Sequence, residues 1–120
     1  MAYDTNNIFA RILRGEIPCK QVFDNQHVLA FHDINPQAPT HVLAIPKGAY
    51  ENFIDFAARA SDAEIVGYVR ALGQIAVEAD PAGAGFRLLA NNGGHAHQEV
   101  PHLHFHVFAG RPLGPMLKRA

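Results

Sequence analysis

Three histidines alternate with apolar residues near the end of the chain, at His102, His104 and His106. The run reads His-Leu-His-Phe-His-Val-Phe, and Pro101 and Gly110 bracket it as a strand is bracketed. Successive side chains of a β-strand point to opposite faces, so the pattern predicts a strand with three imidazoles on one face. Imidazoles titrate near neutral pH and can move protons, attack electrophiles or bind metals. The alternative is a half-buried strand with three surface histidines, but the strict spacing favours chemistry.

Other nucleophiles are scarce in this sequence. Ser61 is the only serine, and it begins a Ser-Asp-Ala-Glu box that is typical of a helix N-terminus, which leaves no Ser-His-Asp triad. Cys19 is the only cysteine and is typical of a small buried residue. A covalent mechanism therefore requires an imidazole. We predict that the central His104 is the nucleophile, with His102 and His106 as proton or hydrogen-bond donors in an acyl- or phosphoryl-type transfer.

A metal site is the rival interpretation of the same histidines. A His-x-His pair on a strand can place two nitrogens on one ion at about 2.0–2.1 Å. The outer histidines lie about 13 Å apart on a straight strand, so a third ligand would come from His41, His95, His97 or Asp33. Metal barrels that use such a pair usually have a carboxylate shortly downstream, and no acidic residue follows Glu99. We therefore expect neither a metal nor another cofactor.

Length and composition predict one soluble domain spanning residues 1–120. The 120 residues are 48% hydrophobic and 18% charged, with a net charge of −1, which fits a single globular core. No cluster of basic residues indicates a nucleic-acid polymer as a partner. No apolar run approaches the roughly 18 residues of a membrane span, and no signal peptide is recognised. The single cysteine favours a reducing compartment, so we expect a cytoplasmic protein.

The remaining patterns place the histidine row in an α+β fold. A short helix capped by Thr5 or Asn6 runs to about Arg14, a second short helix lies within 50–56, and the main helix runs from Ser61 to about Asp80. Strands are predicted at 19–23, 28–32, 41–45, 86–90 and 102–108, and the tail from about residue 111 is predicted to be irregular. Hairpins around one long helix indicate a five-stranded, largely antiparallel sheet.

The histidine row resembles the signature of the histidine triad (HIT) family, which fixes seven consecutive positions. The stretches FHDINPQAPTH at 31–41 and IPK at 45–47, together with Ile8-Phe9 and Glu16-Ile17-Pro18, are similar to the Hint branch, the purine nucleotide phosphoramidases. The resemblance extends to Arg111. It implies a homodimer with a sheet that continues across the interface, and a purine nucleotide partner, AMP or an adenylyl conjugate. It also implies hydrolysis of a phosphorus–nitrogen bond through a nucleotidyl-histidine intermediate.

The resemblance further implies a role for each matching position. His104 resembles the nucleophile, and His106 resembles the residue that faces the α-phosphate and the leaving group. His102 resembles a support that acts largely through its backbone, and His41 resembles the fourth family histidine, behind the nucleophile. The nucleotide-binding positions that it implies are Asp33 for the ribose hydroxyls, Asn91 for a phosphate, and Ile8, Phe9, Ile12, Phe31, His32, Ile34 and Leu43 for the pocket.

These positions also have plainer interpretations, and two positions depart from the family pattern. The apolar residues of the first helix suit a core, Asp33 suits a turn, and His32 and His41 suit ordinary strand positions. Well-known members carry a glycine and a serine where this chain has His97 and Glu99, and the tail 112–120 differs as well. The resemblance places Glu99 beside the phosphate and the leaving group. An ionised carboxylate there cannot donate a hydrogen bond and repels phosphate, so we expect it to favour cationic leaving amines. The alternative function is a nucleotide-binding or protein-interaction module with weak catalysis.

Overall fold

A computed structural model describes residues 2–117 of the chain. Its elements are α1 (Ile8–Leu13), β1 (Gln21–Asp24), β2 (Val28–His32), β3 (Thr40–Pro46), α2 (Phe53–Arg59), α3 (Asp62–Ala79), β4 (Arg87–Ala90) and β5 (Phe105–Ala109), with one turn of 3₁₀ helix at Gly94–Ala96. The strands form one sheet in the order β1-β2-β3-β5-β4, and all neighbouring pairs are antiparallel. The predicted α+β fold, with one long and two short helices on a five-stranded sheet, is confirmed.

The long helix α3 covers one face of the sheet. It begins at the predicted capping box, in which the Ser61 hydroxyl accepts the Glu64 N–H and the Glu64 carboxylate accepts the Ser61 N–H. Its last residue is Ala79 and its C-cap is Asp80, which agrees with the predicted end at about Asp80. The Tyr68 hydroxyl donates to the carbonyl of Ala44, which ties the helix to the middle of β3. The core on this face contains Val28, Ala30, Val42, Tyr50, Phe56, Leu72, Ile75, Leu103 and Val107.

The short helix α1 covers the opposite face. Its N-cap is Asn7, whose side chain accepts the Ala10 N–H, so the prediction of Thr5 or Asn6 as the cap was wrong by at least one residue. Phe9 packs there against a second buried cluster of Leu29, Phe31, Leu43 and Ile45. Because successive side chains of β3 point to opposite faces, that strand contributes apolar side chains to both clusters. Leu43 lies opposite His106 in the register of β3 and β5, so the α1 face also carries the histidines.

The histidine strand begins later than predicted. β5 starts at Phe105, and the residues before it leave the sheet because the Leu103 N–H donates to the carbonyl of Tyr50 at 2.8 Å. The prediction of a strand from His102 was therefore wrong by three residues at the N-terminal end of the strand. The predicted strand at 28–32 is confirmed, the other three strands differ by one or two residues at an end, and the second helix lies three residues later than expected.

The tail after β5 forms no helix or strand between residues 111 and 117, as predicted, and 118–120 lie outside the described residues. The Arg87 guanidinium donates to the carbonyl of Gly114 at 2.7 Å, which holds this tail near the first residue of β4. Among residues 2–117, no helix combines the length and the apolar composition that crossing a bilayer requires.

Candidate active site

The three histidines of the row have different environments. His104 and His106 are neighbours, with ring centroids 5.1 Å apart. The residue His104 is 7% exposed, and the residue His106 is half-buried. His102 is fully buried beneath the N-terminal segment, and both its ring nitrogens already have partners. The accessible imidazoles of the row are therefore His104 and His106.

The hydrogen bonds of His102 and His104 determine which ring nitrogens carry protons. His102 Nε2 lies 2.8 Å from the carbonyl oxygen of Pro46, and a carbonyl can only accept, so Nε2 of His102 carries the proton. His104 Nδ1 lies 2.8 Å from the carbonyl oxygen of His102 and must likewise be the protonated nitrogen. This bond is the backbone support of His104 that the resemblance implies. The neutral ring of His104 consequently has a lone pair on Nε2.

The same reasoning gives the opposite arrangement for His106. The Gln37 N–H donates to His41 Nδ1 at 3.2 Å, so the proton of the neutral His41 ring is on Nε2. That nitrogen lies 2.9 Å from His106 Nδ1 and 3.4 Å from a carboxylate oxygen of Asp33. His106 Nδ1 therefore accepts, and the remaining nitrogen, Nε2, carries the proton. The hydrogen bond of His41 in this structure goes to His106, whereas the resemblance placed His41 behind His104.

Burial favours the neutral form of these rings. Burial lowers the pKa of His104, although its bond to the His102 carbonyl and the charges of Asp33 and Glu99 act in the opposite direction. Burial, followed by the neighbouring His104 and His41, lowers the pKa of His106 to about 4. Burial also lowers the pKa of His102 to about 4 and lowers that of His41. A neutral imidazole is the form that has a lone pair for attack.

The pocket positions implied by the resemblance divide into buried and exposed groups. Phe9, Phe31 and Leu43 are buried together, Ile12 packs against them, and the Phe9 ring lies 4.9 Å from that of His104. The positions at the surface are Ile8, His32 and Ile34, with Ile34 89% exposed. The buried members are core residues that shape the floor beside His104, which agrees with their plainer interpretation, and the exposed members are free to contact a ligand.

Asp33 connects the turn after β2 to the histidines. One of its carboxylate oxygens accepts the Asn35 N–H at 2.8 Å, which is the turn role that its position also suggests. The other oxygen is the one that faces His41, and the side chain keeps 19% of its surface exposed. The carboxylate therefore stabilises a turn and still presents an acceptor at the mouth of the site.

The loop before β5 carries the remaining predicted residues, Asn91, His97 and Glu99. β4 pairs with β5 up to Ala90 opposite Phe105, so Asn91 follows beside the segment that holds His104. His97 has a φ of 58°, a left-handed conformation that favours glycine, the residue that the resemblance places there. Glu99 is exposed, and its charge acts on the pKa of His104.

Two residues that hold the site have no signal in the sequence analysis. Gln98 links the loop to its surroundings, because its amide nitrogen donates to the carbonyl of Glu51 at 2.8 Å and its amide oxygen accepts the Gly93 N–H at 3.0 Å. The Tyr3 hydroxyl lies 2.5 Å from His102 Nδ1. A polar loop residue and an N-terminal tyrosine have no periodicity or motif that could have identified them.

One cluster in the described chain has the composition of a metal site. The carboxylate of Asp33 and the ring nitrogens of His41 and His106 lie within 4.8 Å of one another. His102 is absent from this cluster because its nitrogens face Pro46 and Tyr3. This cluster contains His106 alone from the row, so it is not built on the His-x-His pair considered from the sequence. The three groups of the cluster also satisfy one another by direct contacts, so the geometry fits either an ion or a hydrogen-bonded relay.

Comparisons with known proteins agree with this fold and identify its family. The family model for the HIT domain matches residues 14–113. A 13.2 kDa HIT-like protein from Azospirillum brasilense is 65% identical over 117 residues, which cover 98% of this chain and 96% of that protein. A purine nucleoside phosphoramidase from Escherichia coli strain K12 is 43% identical with the same coverage of both chains. The solved structure of a histidine triad protein from Clostridium difficile has a TM-score of 0.81 at 36% identity, covering 98% of this chain and 100% of that chain. The chain belongs to the HIT family.

Proposed function

We propose that this protein is a nucleotide phosphoramidase that forms a covalent nucleotidyl intermediate on His104. The observation that carries the proposal is the pair of unlike ring nitrogens, a bare Nε2 on His104 and a protonated Nε2 on His106, on rings 5.1 Å apart. The first can attack phosphorus, and the second can stabilise the charge that develops on a phosphoryl oxygen. The similarity to the phosphoramidase of Escherichia coli supports an adenylyl-type phosphoramidate as the substrate.

The reaction has two displacements at phosphorus. In the first, His104 Nε2 forms a bond to phosphorus as the phosphorus–nitrogen bond breaks, and the departing amine takes up two protons from solvent and leaves as an ammonium ion. The His104 ring is then cationic, and its Nδ1–H bond to the His102 carbonyl stabilises that charge. In the second, a water molecule attacks phosphorus and releases its two protons to solvent, and the electron pair of the breaking bond returns to His104 Nε2. His106 donates a hydrogen bond to a phosphoryl oxygen in both steps and keeps its proton.

The residues around this pair suit a nucleotide. The carboxylate oxygen of Asp33 that faces His41 can also accept hydrogen bonds from ribose hydroxyls, and charge-assisted bonds of this kind are strong. Exposed Ile8 and Ile34 offer apolar contacts for a purine face. Asn91 is half-buried beside the His104 segment, where its amide can donate to a phosphate.

We further propose that the chain forms a homodimer through β4 and α3. β4 is an edge strand of the sheet, with unpaired backbone groups that a second copy could pair. The outer face of α3 exposes an apolar stripe of Val66, Val69 and Val77, which are 51%, 62% and 70% exposed. Association of two copies would cover both features with one symmetric interface. A monomer mass in light scattering at micromolar concentration would refute this proposal.

A second candidate function is metal binding at Asp33, His41 and His106, which the clustering of their ligand atoms favours. In that case a chelator removes activity, added zinc restores it, and the mass of the protein shows one bound ion. The covalent proposal expects activity that is unchanged by a chelator. Isothermal titration with zinc and an assay with and without chelator separate the two functions.

The proposed function is tested by turnover of a conjugate in which AMP is joined to the side-chain amine of lysine. We expect the wild-type protein to hydrolyse it and His104→Ala to lose turnover while binding AMP within a few-fold of the wild-type affinity. His95→Ala, which changes an exposed histidine of the neighbouring loop, is the matched control and should keep full activity. A wild-type protein that binds AMP without turnover would instead be a binding module.

A further inference from the structure

We propose that Tyr3 is a positioning residue for His104, acting through His102; this rests on the proposed function. The N-terminal segment that precedes α1 lies over the buried first histidine of the row. There the Tyr3 hydroxyl is 2.5 Å from His102 Nδ1, and the two rings meet edge to face with centroids 5.7 Å apart. The contact joins residues that are 99 positions apart in the chain.

The direction of this hydrogen bond follows from the neighbouring contacts. His102 Nε2 carries the ring proton because it faces the Pro46 carbonyl, so Nδ1 is bare and can only accept. Tyr3 must therefore donate its hydroxyl proton. Burial raises the pKa of Tyr3, which keeps that proton in place at neutral pH. Without the hydroxyl, a fully buried nitrogen would have no partner.

The Tyr3–His102 hydrogen bond acts on His104, the proposed nucleophile, through the backbone carbonyl of His102. The His102 ring is held between Tyr3 on one side and Pro46 on the other, which fixes the orientation of the residue. The carbonyl of His102 accepts from His104 Nδ1 and thereby keeps the lone pair of His104 on Nε2. A shift of His102 would release the His104 ring to rotate or to exchange its tautomer. Either change would misdirect the lone pair that attacks phosphorus.

The segment that carries Tyr3 is itself tied to α1. The Asn7 side chain donates to the carbonyl of Asp4 at 2.7 Å, and the Arg14 guanidinium donates to the carbonyl of Thr5 at 2.7 Å. α1 in turn places Phe9 against the His104 ring. The segment and the helix thus form one support for the two histidines, in which Tyr3 makes the polar contact and Phe9 the apolar one.

Tyr3→Phe tests the proposal because it keeps the ring and removes only the donor. We expect kcat on the AMP–lysine conjugate to fall about tenfold, while KM and the affinity for AMP stay within twofold. Nitrogen-15 NMR of the histidine rings should show wild-type His104 protonated on Nδ1 alone, and a mixture of both tautomers in Tyr3→Phe. Tyr50→Phe is the matched control, since its hydroxyl binds Glu64, and it should leave kcat and the His104 signals unchanged.

A double-mutant cycle separates an action through His102 from a general structural effect. If Tyr3 acts through His102, adding Tyr3→Phe to His102→Ala causes no further loss of kcat. The proposal is overturned if the loss of kcat in the double variant equals the product of the losses in the two single variants. It is also overturned if the Tyr3→Phe protein has wild-type kcat and an unchanged His104 tautomer. If His102→Ala does not fold, the NMR comparison of Tyr3→Phe alone decides. A wild type without turnover defeats the proposed function, and the tautomer of His104 still tests the role of Tyr3.

Discussion

His41 Nε2 lies 2.9 Å from His106 Nδ1 and donates its proton there, because the other nitrogen of His41 accepts the Gln37 amide proton. This contact joins β3 to β5 across the sheet and determines which nitrogen of His106 faces the site as a donor. The difference between His104 and His106, which the sequence pattern treats alike, therefore originates in their partners. His104 has a carbonyl as its partner, and His106 has an N–H.

The first prediction concerns His41→Ala. Removing the donor leaves His106 Nδ1 without a partner, so the His106 proton can move to Nδ1 and the hydrogen bond to the phosphoryl oxygen is lost. We expect kcat to fall by about 10²-fold, in the range for loss of a donor to a developing oxyanion, with the AMP affinity almost unchanged. Steady-state kinetics and AMP titration measure both effects. A wild-type kcat in this variant would mean that His41 does not determine the His106 tautomer.

The second prediction concerns stability and pH. Burial lowers the pKa of His102 from the model-compound value of 6.5 to about 4, so the unfolded chain takes up this proton first as the pH falls. The contribution of the neutral ring is fully present above pH 6.5 and is lost as the pH falls toward 4. Its size is about 3 kcal/mol, from 1.36 kcal/mol for each unit. Urea unfolding at several pH values measures the slope. His95→Ala should keep the slope, and a flat profile between pH 7 and 4.5 contradicts the burial of a neutral His102.

The third prediction concerns His97→Gly. His97 has a φ of 58°, and a residue with a Cβ in that conformation costs about 1–2 kcal/mol. Glycine removes this strain but loses more chain entropy on folding, about 0.4–1 kcal/mol. We expect a net stabilisation of about 0.5–1 kcal/mol in chemical denaturation. His95→Gly should destabilise, since that residue lies within the 3₁₀ turn. Destabilisation by His97→Gly would show that the His97 side chain makes a contact that outweighs the strain.

The fourth prediction concerns Glu99→Ser and the leaving group. The charge of exposed Glu99 acts on His104, so it also lies within range of an amine departing from phosphorus. A carboxylate attracts a protonated lysine amine and does not attract a neutral one. We expect Glu99→Ser to lower the ratio of kcat/KM for AMP–lysine over a neutral-amine phosphoramidate several-fold. Glu78→Ser, on the far helix α3, is the control. An unchanged ratio would place Glu99 away from the leaving group.

Local patterns predicted the elements of this fold well, and tertiary contacts determined what they missed. The strand Val28–His32 and the helix that starts at Ser61 follow from apolar periodicity and a capping box, which act over a few residues. The start of β5 depends on Leu103 bonding to Tyr50 across a long separation, and no periodicity encodes that contact. The tautomers of His104 and His106 depend likewise on a carbonyl and a ring that only the folded chain brings to them. The resemblance supplied the candidate residues, and the contacts supply a physical reason for the different roles proposed for them.

The central claim is that His104 carries the nucleotide during turnover. The most direct test is the intact mass of His106→Ala after mixing with the AMP–lysine conjugate, because losing the phosphoryl donor slows release of the intermediate. The account predicts a mass increase of one adenylyl group, located on His104 by peptide fragmentation and absent from the His104→Ala/His106→Ala double variant. An unmodified protein during active turnover, an adduct on another residue, or full activity of His104→Ala would contradict it.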